Sequence, residues 1–316
     1  MGQCAMNNLN IIVLYGGEGG EREVSLRSGE AVHRVIQESW NRTNLVDMTG
    51  LRLPETVRGE NTIVFPVLHG GFGEDGRLQE LLDKKGVVYA GSCARASRNC
   101  INKATTKDLA QAAGLKIVPG FLYNPLDDVD LDYELGKIGD DIVVKPAEGG
   151  SSVGLQFIKG KGKIKEHLEN LPYEDWIVEK RIQGREMSVG ILKGKGMGIV
   201  EIKPKDGAYD FEHKYSSGMT DYIYPAQLTE KQSQAITTAA ETIFRACNCR
   251  DFARADFILR ENHKRWEVLL LEVNTLPGMT ENSLLPMSAQ CAGRNFPGLV
   301  SDMLAPAIER FQHKWA

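Results

Sequence analysis

Residues 268–285 read VLLLEVNTLPGMTENSLL. The apolar run 268–271 has the length and composition of a buried strand. Glu272 and Asn274 come next, two positions apart, so a continuing strand carries both on one face. Pro277 and Gly278 then turn the chain. A hydrophobic strand ending in two oxygen-bearing side chains on one face is built to hold something.

Upstream, residues 251–260 read DFARADFILR. Arg254 and Asp256 alternate with Ala253, Ala255 and Phe257, the period of a strand with one face buried. The polar segment 261–265 joins the two runs and suggests a hairpin. A turn centred near residue 264 sets Asp256 opposite Glu272 and Arg254 opposite Asn274. Directly opposed side chains lie within ~6 Å at Cβ. Asp256, Glu272 and Asn274 then form a compact set of hard oxygen donors, of the kind that holds Mg²⁺ beside a phosphate. An Asp and a Glu so close repel unless a cation or Arg254 sits between them. A surface hairpin with scattered charges is therefore the weaker reading.

The chain has 316 residues, 42% hydrophobic and 25% charged, with a net charge of −4. This is the composition of a globular protein of two or three structural units. The slight acidity favours neither nucleic acid nor an anionic membrane as partner. No apolar run approaches the ~20 residues of a membrane span. The N-terminal MGQCAMNNLN lacks the charged and apolar regions of a signal peptide. A cytoplasmic protein is expected, with its six scattered cysteines reduced.

From the N-terminus, residues 9–15 read as a buried strand, and GGEGGEREVSLRSG (16–29) leads from it into a helix over 23–39. A glycine loop between strand and helix can hold an anion. It is not a dinucleotide fingerprint, because the last glycine of that motif would fall at Arg22. Glu21 is a candidate for gripping an ammonium group; a plain helix N-terminal charge is the bland alternative. Further strands are read at 43–48, 62–68 and 87–90, with helices at 76–85 and through 91–103. The third strand runs into HGGFGEDG (69–76), which sets His69 at a strand's C-terminal end, where open α/β sheets place ligands.

Residues 141–146 are a strand bearing Lys145, followed by the glycine loop EGGSSVG (148–154). Backbone amides there, with the Ser151 and Ser152 hydroxyls, suit phosphate oxygens. The loop lacks the G-K-[ST] of a Walker A motif. Residues 176–180 form the next strand. The polar, aromatic stretch 207–224 reads as a loop and a candidate lid. Amphipathic helices are expected over 229–247 and 298–315.

In this order the motifs GGEGGEREVSLRSG, HGGFGEDG, VVKPAEGGSSVG, EKRIQGRE, FEHKY, ARAD and EVNTLPGMTENSL resemble the D-alanine–D-alanine ligases of the ATP-grasp superfamily. The resemblance runs from residue 11 to about 311. It implies an α/β ATP-grasp fold with an N-terminal Rossmann-like parallel domain. The implied divisions are an N-terminal substrate-binding domain over 1–98, a central subdomain over 99–184, and a C-terminal subdomain with metal site and lid over 185–316.

The resemblance also implies residue roles. Lys103, Lys145, Ser152 and Lys214 match contacts to ATP phosphates or adenine. Glu179, Lys180 and Ile182 match the adenine-edge segment, with Glu186 on the ribose. Asp256, Glu272 and Asn274 match ligands of two Mg²⁺ ions, for which Mn²⁺ is a substitute. Glu21 and His69 match first-alanine positions, and Ser283 and Leu284 match the second alanine's carboxylate site. Ser151, Tyr215 and Glu21 match a hydrogen-bonded trio that closes the lid. Arg254 and the Gly278 backbone match the group that stabilises the tetrahedral intermediate.

The implied activity is ATP-dependent joining of two D-alanines through an acyl phosphate, for peptidoglycan precursors, by a cytoplasmic homodimer. A D-lactate or D-serine ligase is the near alternative. An ATP-grasp carboxylase and a catalytically silent nucleotide-binding protein are the distant ones. Arg181 and Ala208 stand where bulkier aromatics often flank adenine, and Gly19 stands where a small hydroxyl residue is common.

Overall fold

The computed structural model describes residues 9–59, 61–150, 153–205, 219–262 and 265–314. Strands β1 (Asn10–Gly16), β2 (Thr43–Met48), β3 (Thr62–Pro66) and β4 (Val88–Tyr89) form a parallel sheet in the order β2-β1-β3-β4. β1 reads as a continuous apolar run because both faces are covered: Ile11 and Val13 go to one buried cluster, Ile12 and Leu14 to another. The helix Arg22–Ser39 lays Val32 and Ile36 on the first face. After β1 the chain moves to β2 on one side and then to β3 on the other. That reversal leaves a crevice beyond the carboxyl ends of β1 and β3, where Glu21 and His69 follow their strands.

The second sheet is antiparallel and ordered β5-β8-β6-β7, from β5 (Gly120–Tyr123), β6 (Asp141–Pro146), β7 (Gln156–Lys159) and β8 (Trp176–Lys180). Alternation divides its side chains. Ile142, Val144, Trp176 and Val178 pack on the helices Leu131–Ile138 and Lys161–Glu169. Val143, Lys145 and Glu179 line a cleft.

The third sheet follows the order β11-β10-β9-β12-β13, from β9 (Arg185–Leu192), β10 (Lys195–Pro204), β11 (Thr220–Ile223), β12 (Phe252–Asn262) and β13 (Arg265–Asn274). Its inner face, with Val189, Ala253, Ala255 and Phe257, packs on Ile236, Ala239, Ala240 and Ile243 of the helix Glu230–Ala246. That helix begins with a full capping box between Thr229 and Gln232. Its other face contributes Glu186, Ile202, Asp256 and Ile258 to the same cleft. A parallel α/β sheet followed by two antiparallel sheets around a cleft is the ATP-grasp arrangement.

The closing helix Phe296–Lys314 returns to the first sheet. Leu299, Val300, Met303 and Phe311 join a cluster with Ile11, Ile63 and Phe65, and with Phe252 of β12. Arg310 grips Asp251 through both guanidinium nitrogens, at 2.7 and 2.5 Å. The first and third sheets therefore share one core. Among the described residues, no helix is long and apolar enough to cross a membrane.

Three sequence readings are corrected. The end of the expected 207–224 loop is a strand: Thr220–Ile223 pairs with Glu201–Pro204 as β11. Four residues are too few to show a period, and Tyr222 gains its packing from Val200 and Ile202. The helix read through 91–103 is broken into Ala94–Ile101 and Lys103–Ala112. Asn102 breaks it by capping the second piece, accepting from the Thr105 N–H at 2.9 Å. Residues 185–204, left without strands, form the β9–β10 hairpin. Its turn sets Lys193 and Gly194 at φ 50 and 76, the conformation a two-residue hairpin favours. Neighbouring glycines hide the alternation.

Candidate active site

The β12–β13 ladder pairs Arg254 with Asn274 and Asp256 with Glu272. The predicted register is the observed one at the site. The register shifts between Asp256 and Phe257, where Phe257 pairs with Leu270 and Leu271 is the extra residue of a bulge. Strict alternation would place Leu270 on the face of Glu272. The bulge instead sends Leu270 into the core, while Leu271 and Glu272 both face the cleft.

The carboxylates are held apart by the cation between them. Arg254 Nη2 lies 2.8 Å from Asp256 Oδ2 and 3.8 Å from Glu272 Oε1. Asp256, 4% exposed, also accepts from the Ser188 hydroxyl at 2.7 Å. Asn274 Nδ2 donates to Glu272 Oε1 at 3.3 Å. Turning that amide over would present its oxygen on the same side as the two carboxylates. Two carboxylates and an amide oxygen fit a small hard cation that takes its remaining ligands from phosphate and water. Among the described residues, no group of three or more His, Cys, Asp or Glu gathers as a metal site.

On one side of the hairpin is a cleft of about 220 Å³ between the second and third sheets. Lys103, Lys145, Glu179, Lys180, Ile182 and Glu186 all line it, with Asp256 and Glu272 at its inner end. Lys103 Nζ donates to the Gly149 carbonyl at 2.8 Å, which ties the helix Lys103–Ala112 to the glycine loop. Gly149 sits at φ +110, open to glycine and strained for other residues. Lys145 and Glu179 pair at 2.9 Å, both buried. Apolar walls come from Leu155 and Phe157 on one side and Ile202, Ile258 and Leu271 on the other. The Arg181 guanidinium stacks 4.7 Å from the Phe157 ring.

On the other side is a smaller cavity of about 100 Å³, lined by Glu21, His69, Arg254, Gly278, Ser283 and Leu284. These residues come from the first sheet's crevice, the hairpin and the start of the helix Leu284–Cys291. Glu21 is the N-cap of its helix but makes no side-chain cap, and its carboxylate lies against Gly70 and Gly150. The carboxylate is thus turned toward the smaller cavity rather than capping the helix. His69 donates from Nδ1 to the Leu276 carbonyl at 2.8 Å and accepts from the Ser28 hydroxyl at Nε2, 3.1 Å away. Burial pushes its imidazole below the ordinary value, opposed by nearby Glu21. His69 is thus a neutral, fixed ring. The Ser283 hydroxyl receives the Thr280 N–H at 3.0 Å. Ser151, Ser152, Lys214, Tyr215 and the lid segment 207–218 lie outside the described residues.

Sequence reasoning missed Glu74, Lys107 and Ser28. Glu74 lies in HGGFGEDG, yet nothing local says that its side chain turns inward. It lines the smaller cavity and accepts from Gly70 N at 2.7 Å and Leu276 N at 3.3 Å. Burial first, then the charge of Glu21, push its carboxyl up to about 7. Lys107, four residues after Lys103 on one helix face, was discoverable as an i, i+4 pair; its partner Glu179 was not.

The family model described as D-ala D-ala ligase C-terminus matches residues 124–305, and that described as D-ala D-ala ligase N-terminus matches residues 50–92. A D-alanine–D-alanine ligase of Methylacidiphilum infernorum is 36% identical over 305 residues, 96% of this chain and 97% of that protein. One from Geobacter sulfurreducens is 40% identical over 306 residues, 96% of this chain and 95% of that protein. The crystal structure of the D-alanine–D-alanine ligase from Bacillus anthracis complexed with ATP matches with a TM-score of 0.83 at 26% identity. That match covers 97% of this chain and 99% of the other.

Proposed function

The chain belongs to the D-alanine–D-alanine ligase family, and from that premise we propose that it joins two D-alanines into D-alanyl-D-alanine, converting ATP to ADP and phosphate. One observation carries the reading: two unlike cavities adjoin along the β12–β13 hairpin, the larger lined by the Asp256–Glu272 pair and the smaller by the neighbouring Arg254–Asn274 pair, with Gly150 common to both. The larger has lysines and apolar walls, which suit a nucleotide. The smaller has an inward carboxylate, a neutral imidazole and an arginine, which suit an amino acid. The relative crystallised with ATP supports the use of that nucleotide.

In this reading the phosphates lie toward Lys103, Lys145 and the 148–154 loop, with Ser152 and Lys214 assigned there on the resemblance alone. Adenine lies along 179–182, and Glu186 takes the ribose. Asp256, Glu272 and Asn274 would hold Mg²⁺, which when bound neutralises phosphate charge and orients the γ-phosphoryl group. Glu21 faces the first alanine's ammonium, and the fixed His69 ring orients that substrate.

The first carboxylate attacks the γ-phosphoryl group and becomes an acyl phosphate. The second alanine's amine attacks that carbonyl, and phosphate leaves. Arg254 and the Gly278 N–H face the oxyanion that forms, a contribution of about 3–4 kcal/mol per donor. Ser283 and Leu284, at a helix N-terminus, receive the second carboxylate. On the resemblance alone, Ser151 and Tyr215 are assigned as the lid contacts that keep water from the acyl phosphate. The product serves as a peptidoglycan precursor, and the enzyme works as a cytoplasmic homodimer.

The test is ADP release with D-alanine, D-serine and D-lactate, with products identified by mass. We expect the dipeptide. Absence of D-alanine-dependent ADP release would overturn the ligase reading. Efficient ester formation from D-lactate near neutral pH would overturn the dipeptide assignment.

A further inference from the structure

Three charged side chains meet behind the wall of the larger cleft. The Glu179 carboxylate pairs with Lys145 through Oε2 at 2.9 Å and with Lys107 through Oε1. All are buried: Lys107 and Lys145 are 7% exposed and Glu179 is 2%. Lys145 and Glu179 line the cleft, and Lys107 does not. Lys107 is held from behind, its ammonium 3.4 Å from the Val118 carbonyl.

Charge decides what this arrangement does. Lys145 and Glu179 alone would form a neutral ion pair facing the cleft, with the ammonium committed to its own carboxylate. Lys107 divides that carboxylate between two cations, and the trio keeps one net positive charge. We propose that Lys107 is a positioning residue for nucleotide binding: by taking half of Glu179 it keeps the Lys145 charge available to a phosphate in the cleft. The inference rests on the nucleotide reading of that cleft. It also explains why Lys103 and Lys107 share one helix face. The first residue ties down the glycine loop through Gly149, and the second, one turn later, sets the charge beside it.

The experiment uses the full chain with MgCl₂ and a non-hydrolysable ATP analogue in calorimetry, together with steady-state kinetics. Lys107→Met should weaken analogue binding and raise KM for ATP about tenfold, the size expected when one charge-assisted contact is lost. KM for D-alanine should change less than twofold. Lys107→Arg, which keeps the charge, should stay near the unmodified protein. The loss should be specific to the phosphates, so adenosine, which carries none, should bind K107M and the unmodified protein alike. A purely structural role for Lys107 predicts instead that adenosine binding is impaired as much as analogue binding, and that result overturns the inference. So does unchanged analogue binding by folded K107M. Failure of the unmodified protein to bind the analogue would sink the nucleotide reading and this inference together.

Discussion

Asp256 and Glu272 face each other across the β12–β13 ladder, one residue before the bulge at Leu271, with the Arg254 guanidinium reaching both. Opposed carboxylates on one sheet face destabilise unless compensated. Arg254 compensates them here, and its reach across the hairpin couples the two cavities electrically.

Glu272→Gln should fold normally, because Asp256 keeps its contacts to Arg254 and Ser188. Turnover should fall by about tenfold to a hundredfold or more, and the Mg²⁺ concentration for half-activity should rise. Near-normal turnover across a Mg²⁺ titration would remove Glu272 from the metal set.

Arg254→Lys keeps a positive charge beside Asp256 but loses the guanidinium fork on Asp256 and the reach from it to Glu272. Its kcat should drop about 10²–10³-fold, the cost of one oxyanion donor, while KM for ATP moves little. Equal effects on kcat and on the nucleotide KM would point to a collapsed hairpin.

Asn102→Ala removes the cap of the helix Lys103–Ala112 and a 3.1 Å bond to Glu148. A stability loss of about 1 kcal/mol is expected, with a rise in KM for ATP because Lys103 is the first helical residue. Urea melts read the first and initial rates the second. A stability loss without any change in KM would separate the cap from the cleft.

Glu74 carries a pH signature. Its carboxyl is raised to about 7 by burial and by Glu21, so the native state favours its protonated form. That contribution is fully present below the unfolded carboxylate pKa of 4.5 and is lost as pH climbs to about 7. Glu74→Gln abolishes this titration. Its stability relative to the unmodified protein should therefore improve between those limits, by on the order of 3 kcal/mol at most, and level off above. Denaturant melts at several pH values should show the divergence; parallel curves would mean that Glu74 titrates normally.

Arg310→Met leaves the carboxylate of Asp251, which is 6% exposed, with the Gly91 N–H as its hydrogen-bond donor among the described residues. Breaking such a pair costs on the order of 3 kcal/mol, less than the fully buried limit because Arg310 is partly exposed. The urea midpoint should fall accordingly. An unchanged midpoint would show that apolar packing alone docks the closing helix on the first sheet.

The hairpin register was legible in the sequence because both strands lie within one short segment. Alternation assigns faces, and the turn sets which residues oppose, so Arg254, Asp256, Glu272 and Asn274 could be placed before any fold was known. The strands that lead to Glu21 and His69 were legible for a similar reason: apolar runs that break into glycines announce a parallel sheet's carboxyl edge. Tertiary structure decided the rest. The bulge that moves Leu270 into the core and Leu271 into the cleft depends on the helix Glu230–Ala246 demanding apolar contact from one face only. Glu179 meets Lys107 and Lys145, and Glu74 meets Leu276, because separate sheets pack around a shared cleft. Local periodicity encodes which face a side chain takes, but which distant side chain it finds there is set by burial, and that is a property of the whole packed chain.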